Sequence, residues 1–205
     1  MIRNKKNPLI FWFLRTYSRW MVKNHFHELI LKDIEVDPNK SVLLLANHFS
    51  FWDTLILYIV SNKLKKKFHV MVREDTTLYL KYVVYGGAFT INKNSRKMLE
   101  SLDYAAELLN DPQNLVLIFP QGKLYSNFVT NVHFEKGIMK VIDKAKGKFQ
   151  LVFASSFIQY FKHKKQSVTV YLKNWEHAGK GFDELKEAYQ QHYEAAKLEQ
   201  TEIVI

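Results

Sequence analysis

Along the chain, short continuous apolar runs alternate with segments of helical spacing. Residues 41–46 (Ser-Val-Leu-Leu-Leu-Ala), 68–72, 88–91, 115–119 and 149–157 have strand length and are apolar nearly throughout. That is the pattern of strands buried on both faces, as in a parallel sheet. Residues 167–172 alternate instead, which suits an edge strand. Between these runs, residues 54–60, about 95–109, 135–145 and 182–199 carry apolar residues at helical spacing, clearest at Met98, Leu99, Leu102, Ala105, Ala106 and Leu109. Asp37-Pro38-Asn39 marks a turn, Asp75-Thr76 caps a short helix running to about Val84, and Gly86-Gly87 breaks it. Strands alternating with helices predict an α/β fold: a mostly parallel or mixed central sheet flanked by helices.

The first 31 residues have a different texture. Pro8 suits a first helical turn, and Leu9, Phe13, Tyr17, Trp20, Met21, Phe26, Leu29 and Ile30 recur as an apolar stripe. Arg3, Lys5, Lys6, Arg15, Arg19 and Lys23 are interleaved, with no acid before Glu28. A basic, aromatic amphipathic helix is the signature of an interfacial anchor; packing on the core is the other fate of such a helix. The expected division is therefore a membrane-associating helical segment over 1–31 and a single α/β domain over 32–205.

Composition narrows the partners. The 205 residues are 47% hydrophobic and 15% aromatic, enough for one sizeable core. A formal charge of +10 calls for an anionic partner such as a membrane surface, a phosphorylated substrate or nucleic acid. Nucleic acid is disfavoured, because the cations interleave with large apolar residues and no binding motif accompanies them. The absence of cysteine excludes a disulfide framework, a thiol nucleophile and cysteine metal sites. No apolar stretch approaches the roughly 20 residues of a spanning helix, and Arg15 interrupts the only leader-like run. The basic runs 63–67 and 162–165 read as solvated faces able to meet anionic headgroups or an acidic carrier protein. His25-x-His27 lacks a third metal ligand at usable spacing, and His69 and His133 read as structural or solvated.

Candidate chemistry gathers where apolar runs end. Asn47-His48, Asn92-Lys93 and Pro120-Gln121-Gly122 each follow a strand, and ligands of open α/β sheets bind beyond the carboxyl ends of strands. His48 and Asp53 suggest a general base and its orienting carboxylate. On a regular helix, five residues would place them about 140° apart. They meet only if His48 lies in the turn before a helix and Asp53 in its first turn, where the helix dipole favours a carboxylate. No Gly-x-Ser-x-Gly accompanies them, so the base would activate a substrate hydroxyl or amine.

These blocks resemble those of the glycerolipid acyltransferase superfamily, which includes the glycerol-3-phosphate, 1-acyl-glycerol-3-phosphate and lysophospholipid acyltransferases. Asn47-His48-Phe49-Ser50-Phe51-Trp52-Asp53 resembles its Asn-His-x-Ser-x-x-Asp block, and Gly87–Lys93 its Gly-x-x-Phe-Ile-x-Arg, with lysine for arginine. Phe119-Pro120-Gln121-Gly122 resembles its Phe-Pro-Glu-Gly-Thr-Arg-Ser, and Phe134-x-Lys136-Gly137 the Phe-x-x-Gly that follows. The blocks come in family order and cover residues 40–160. The resemblance implies that His48, oriented by Asp53, deprotonates an acceptor that attacks an acyl thioester of coenzyme A or acyl carrier protein, with no bound cofactor and no metal. It places Asn47, Ser50, Lys93, Arg96, Pro120, Gln121, Gly122 and Lys123 at the substrates, with Phe51, Trp52 and the N-terminal aromatics along the acyl chain. It further implies a peripheral enzyme of phospholipid synthesis on the cytoplasmic face of a membrane, acylating a lyso-lipid. Gln121 and Leu124 depart from the pattern by removing a carboxylate and an arginine, which weakens the case for a phosphate-bearing acceptor. The competing expectations are a non-catalytic basic membrane-binding module and a thioester hydrolase in which His48 activates water.

Overall fold

A computed structural model describes every residue except 6, 33, 76–82, 93–94, 147–148 and 205. Among the described residues, seven strands form one mixed sheet: β1 Phe26–Lys32, β2 Ser41–Ala46, β3 Lys67–Arg73, β4 Ala88–Ile91, β5 Asn114–Ile118, β6 Phe149–Gln159 and β7 Gln166–Trp175. Their order is β1-β7-β6-β2-β5-β3-β4. From β6 to β4 all pairings are parallel, while β7 runs antiparallel to β6 and β1 runs parallel to β7. Among the described residues five α-helices flank the sheet: α1 Pro8–His25, α2 Trp52–Lys63, α3 Ser95–Leu108, α4 Gly137–Lys144 and α5 Phe182–Thr201.

The continuous apolar runs are central strands because both of their faces are covered. On β2, Val42, Leu44 and Ala46 join Val22 of α1 and Ile56, Leu57 and Val60 of α2 in one cluster. Leu43 and Leu45 join Leu102 and Ala105 of α3, Val141 of α4 and Tyr189 of α5 in the other. Gly87 is required where the chain enters β4: its φ is +102°, and a Cβ there would collide with the Phe68 carbonyl.

Three expectations change. The helix expected over the first 31 residues stops at His25, and Phe26–Lys32 is an edge strand. Its backbone groups find partners on β7, an outcome that apolar spacing cannot distinguish from more helix. That pairing makes β7 an interior strand rather than an edge. Lys66, in the middle of a basic run, is buried: its ammonium donates to the carbonyls of Asp37, Pro38, Lys40 and Pro112 at 2.7–3.2 Å. The short helix expected after Asp75 falls mostly outside the described residues; Val84–Gly86 is a 3₁₀ turn.

Helix α5 closes the molecule with a buried stripe of Leu185, Tyr189, His192, Tyr193 and Ala196. His192 donates Nε2–H to the Tyr171 carbonyl at 3.2 Å, and burial pushes its pKa down to about 4 from 6.5. A neutral buried histidine destabilises the fold in acid, because the unfolded chain takes up the proton first. Stability should therefore fall as pH drops from about 6.5 towards 4, and His192→Asn should flatten that slope in melting curves recorded across the window.

Candidate active site

The carboxyl ends of β2, β3, β4 and β5 lie on one edge of the sheet, where Asn47-His48, Asn92 and Pro120-Gln121-Gly122 follow their strands. After Ala46 the chain leaves β2 through a short turn and enters α2 at Trp52, so Asp53 occupies the helix's first turn. This is the arrangement that the five-residue spacing demands. Asp53 is fully buried, and its Oδ2 accepts His48 Nδ1–H at 2.8 Å, Phe49 N–H at 2.7 Å and Ser50 N–H at 2.9 Å. Ser50 Oγ–H reaches the other oxygen at 2.8 Å and itself accepts Trp52 N–H.

A carboxylate is acceptor-only, so Nδ1 carries a proton, and in the neutral imidazole the lone pair sits on Nε2. No described residue hydrogen-bonds Nε2, and the His48 side chain is 23% exposed. The ring lies flat on Phe119, centroids 4.0 Å apart and planes 15° apart. The imidazole is thus fixed by a hydrogen bond at one nitrogen and a ring stack on one face, with no hydrogen bond from a described residue at the other nitrogen. This arrangement suits proton abstraction from a bound hydroxyl or amine.

The third break holds the backbone of the same histidine. Gln121 is buried, and its Oε1 accepts His48 N–H at 2.6 Å; His48 C=O accepts Tyr125 N–H at 3.0 Å. The carboxamide at 121 thereby supplies the oxygen that His48 needs without burying a charge, so the absent carboxylate is no loss at this contact. Gly122 turns the chain with φ +67°, and a Cβ there would press on the Glu135 side chain at 3.3 Å.

Two residues at the end of β3, which the sequence reading passed over, connect the breaks. Glu74 accepts Thr90 Oγ1–H and Asn92 Nδ2–H at the end of β4, and these bonds hold its pKa down at about 2. Arg73 grips Asp75 with Nε and Nη2 and donates Nη1–H to Gly122 C=O at 3.3 Å. Protonating Glu74 weakens its bonds, so the stability its charge contributes should be complete above about pH 4.5 and lost as pH falls through about 2.

The expected substrate residues separate into two groups. Asn47 is buried and its amide is engaged by Ser156, donating to C=O at 3.0 Å and accepting N–H at 2.8 Å. Ser50, Gln121 and buried Pro120 likewise form the frame beneath the histidine. Gly122, Lys123 and Arg96 are exposed, with Lys123 Nζ 5.4 Å above the Tyr125 ring; Lys93 lies outside the described residues. Phe51, Leu124 and Phe128 are exposed apolar side chains on the segments that follow β2 and β5, and Trp52 packs against His25 and Phe26. Beneath the frame, the buried Tyr189 donates Oη–H to Ala154 C=O at 2.8 Å. Burial raises its pKa far above the ordinary phenol value and keeps it a donor. The helix that carries it was legible at 182–199; Tyr189 itself and its place beneath the site were not. His27 stacks on His163, so the His25-x-His27 pair does not converge, and among the described residues no three His, Asp or Glu side chains gather as a metal site.

This strand–turn–helix histidine site has the geometry of a general base and its orienting carboxylate, and residues 23–156 match the sequence model of the family described as Acyltransferase. The match spans more than half of the chain, which therefore belongs to the acyltransferase family, consistent with the glycerolipid acyltransferase superfamily. A comparison with curated proteins finds no match.

Proposed function

We propose that the protein is a peripheral membrane acyltransferase that moves a fatty acyl group from a thioester to the hydroxyl or amine of a lyso-lipid. The observation that carries the reading is Asp53 holding His48 Nδ1–H at 2.8 Å in a side chain that stays partly exposed. His48 Nε2 takes the acceptor's proton as its oxygen or nitrogen attacks the thioester carbonyl. The buried Asp53 carboxylate stabilises the imidazolium that forms. When the carbon–sulfur bond breaks, the imidazolium returns the proton to the departing thiolate. One ester or amide bond replaces one thioester bond, and the histidine ends as it began. The donor is coenzyme A or acyl carrier protein, and no bound cofactor takes part.

The exposed Lys123 and Arg96 suit an anionic acceptor headgroup, with Lys93 the third expected cation. Phe51, Leu124 and Phe128 offer apolar contact to an acyl chain. Helix α1 supports membrane attachment: its inner face packs through Val22 and Phe11, while Leu9, Trp12, Phe13, Tyr17 and Trp20 stay exposed, Trp12 at 64%. Arg15, Arg19 and Lys23 are also exposed on this helix, as in an interfacial helix on anionic lipid. Among the described residues no helix is long and apolar enough to cross a membrane. The expected site of action is the cytoplasmic face, in lipid synthesis.

Flotation with vesicles containing anionic lipid tests the attachment: Trp12→Ala with Trp20→Ala should reduce the bound fraction several-fold, and unchanged binding would remove α1 from that role. Incubation with a labelled thioester tests the chemistry. Thiol release should require lipid extract, whereas release of free acid without acceptor would indicate a hydrolase.

A further inference from the structure

Strand β6 outruns its neighbour at the active-site edge. Its pairing with β2 ends at Ala46 and Ala154, but its pairing with β7 continues to Gln159 and Ser167. Five further residues carry this free edge about 16 Å past the last β2 pair. Asn47 occupies the first step, its side chain meeting Ser156 N–H and C=O as a strand residue would. Backbone direction alternates along a strand, so Ile158 turns its N–H and C=O the same way. Among the described residues no strand, loop or side chain pairs with them.

The edge ends in the turn 160–165, Tyr-Phe-Lys-His-Lys-Lys. Lys162, Lys164 and Lys165 are exposed, and no ion pair among the described residues engages them. His163 stacks on His27 of β1 at 3.5 Å between centroids, which fastens the turn to the neighbouring strand. An open backbone edge therefore leads from beside His48 to a braced cluster of unpaired cations.

We propose that this edge and its lysine turn are the track for the phosphopantetheine arm of the acyl donor. The inference rests on the acyl-transfer reading. With the thioester at His48, the arm runs outward along β6. Its amides pair with the free Ile158 backbone as an added strand would, and its phosphate reaches Lys162, Lys164 and Lys165, which act as mobile point charges. Coenzyme A and acyl carrier protein both carry this arm.

The test compares the full chain with its K162A/K164A/K165A variant, checked for an unchanged melting temperature. Donors are acyl-coenzyme A, acyl carrier protein thioester, and acyl-pantetheine, which keeps the arm and lacks the phosphate. In the wild type, kcat/KM for acyl-coenzyme A should exceed that for acyl-pantetheine at least ten-fold. In the variant the ratio should fall towards one, through KM. A loss shared by the carrier-protein donor, or confined to coenzyme A, supports the track and identifies the source. An unchanged ratio overturns it, as does an equal loss on both small donors accompanied by loss of vesicle flotation, which would make the turn a lipid contact. Calorimetric binding of coenzyme A separates this inference from the reading beneath it. Binding at least ten-fold weaker in the variant upholds the track even if no acceptor is acylated, and equal binding refutes it even if transfer is confirmed.

Discussion

Replacing His48 by alanine is expected to lower kcat for acyl transfer by about 10³- to 10⁴-fold, at the upper end of what a positioned general base contributes, with the fold intact. The side chain is partly exposed and its loss leaves no polar group stranded in the core: the Asp53 carboxylate keeps Phe49 N–H, Ser50 N–H and Ser50 Oγ–H. Asp53→Asn separates geometry from charge. An asparagine oxygen in place of Oδ2 can still accept from Nδ1, but it offers no charge to the imidazolium. The expected loss is about 10²-fold in kcat with little change in KM. Asp53→Ala would also leave buried backbone donors unpaired and should lower the melting temperature. Steady-state kinetics with a fixed thioester, alongside melting curves for each variant, distinguish these outcomes.

The second large effect lies at the opposite end of the sheet and concerns stability alone. Lys66→Met should destabilise the protein by about 3 kcal/mol, the scale of a buried charge-assisted network losing one partner. Methionine matches the stem but leaves four carbonyls, which the ammonium gathers from two loops, facing an apolar group. Burial pulls the Lys66 pKa down, with Asp37 and Asp111 acting in the opposite sense. Denaturant unfolding should reveal the loss, with kcat per folded molecule unchanged because the residue sits at the amino end of β3.

Lys66 also marks where reading the sequence reached its limit. Within Lys63–Lys67 nothing distinguishes the lysine that folds inward from those that stay in water, because the carbonyls that hold it come from residues 37–40 and 112. The boundary between α1 and β1 was hidden for a related reason: Phe26, Leu29 and Ile30 suit either periodicity, and the decision belongs to β7. By contrast, β2, β4 and β5 were legible nearly to the residue, since an unbroken apolar run ending in Asn-His, Asn-Lys or Pro-Gln-Gly has few other ways to be buried. The His48–Asp53 geometry was legible too, because a five-residue spacing allows contact only across a turn and a helix start. Gln121 was legible as a departure, while its inward turn towards His48 N–H was not, since that depends on the chain path after β5. The links through Arg73 and Glu74 carried no motif at all.

The central proposition is that His48 takes the proton of a lipid acceptor as that acceptor attacks an acyl thioester. Its most direct test is to incubate purified protein with a labelled acyl thioester and a total lipid extract, then quantify free thiol and acylated lipid by mass spectrometry. Equal amounts of thiol and acylated lipid from the wild type, with neither from His48→Ala, is the predicted result. Acylated lipid formed undiminished by His48→Ala, or thiol released with only free fatty acid as its counterpart, would contradict it.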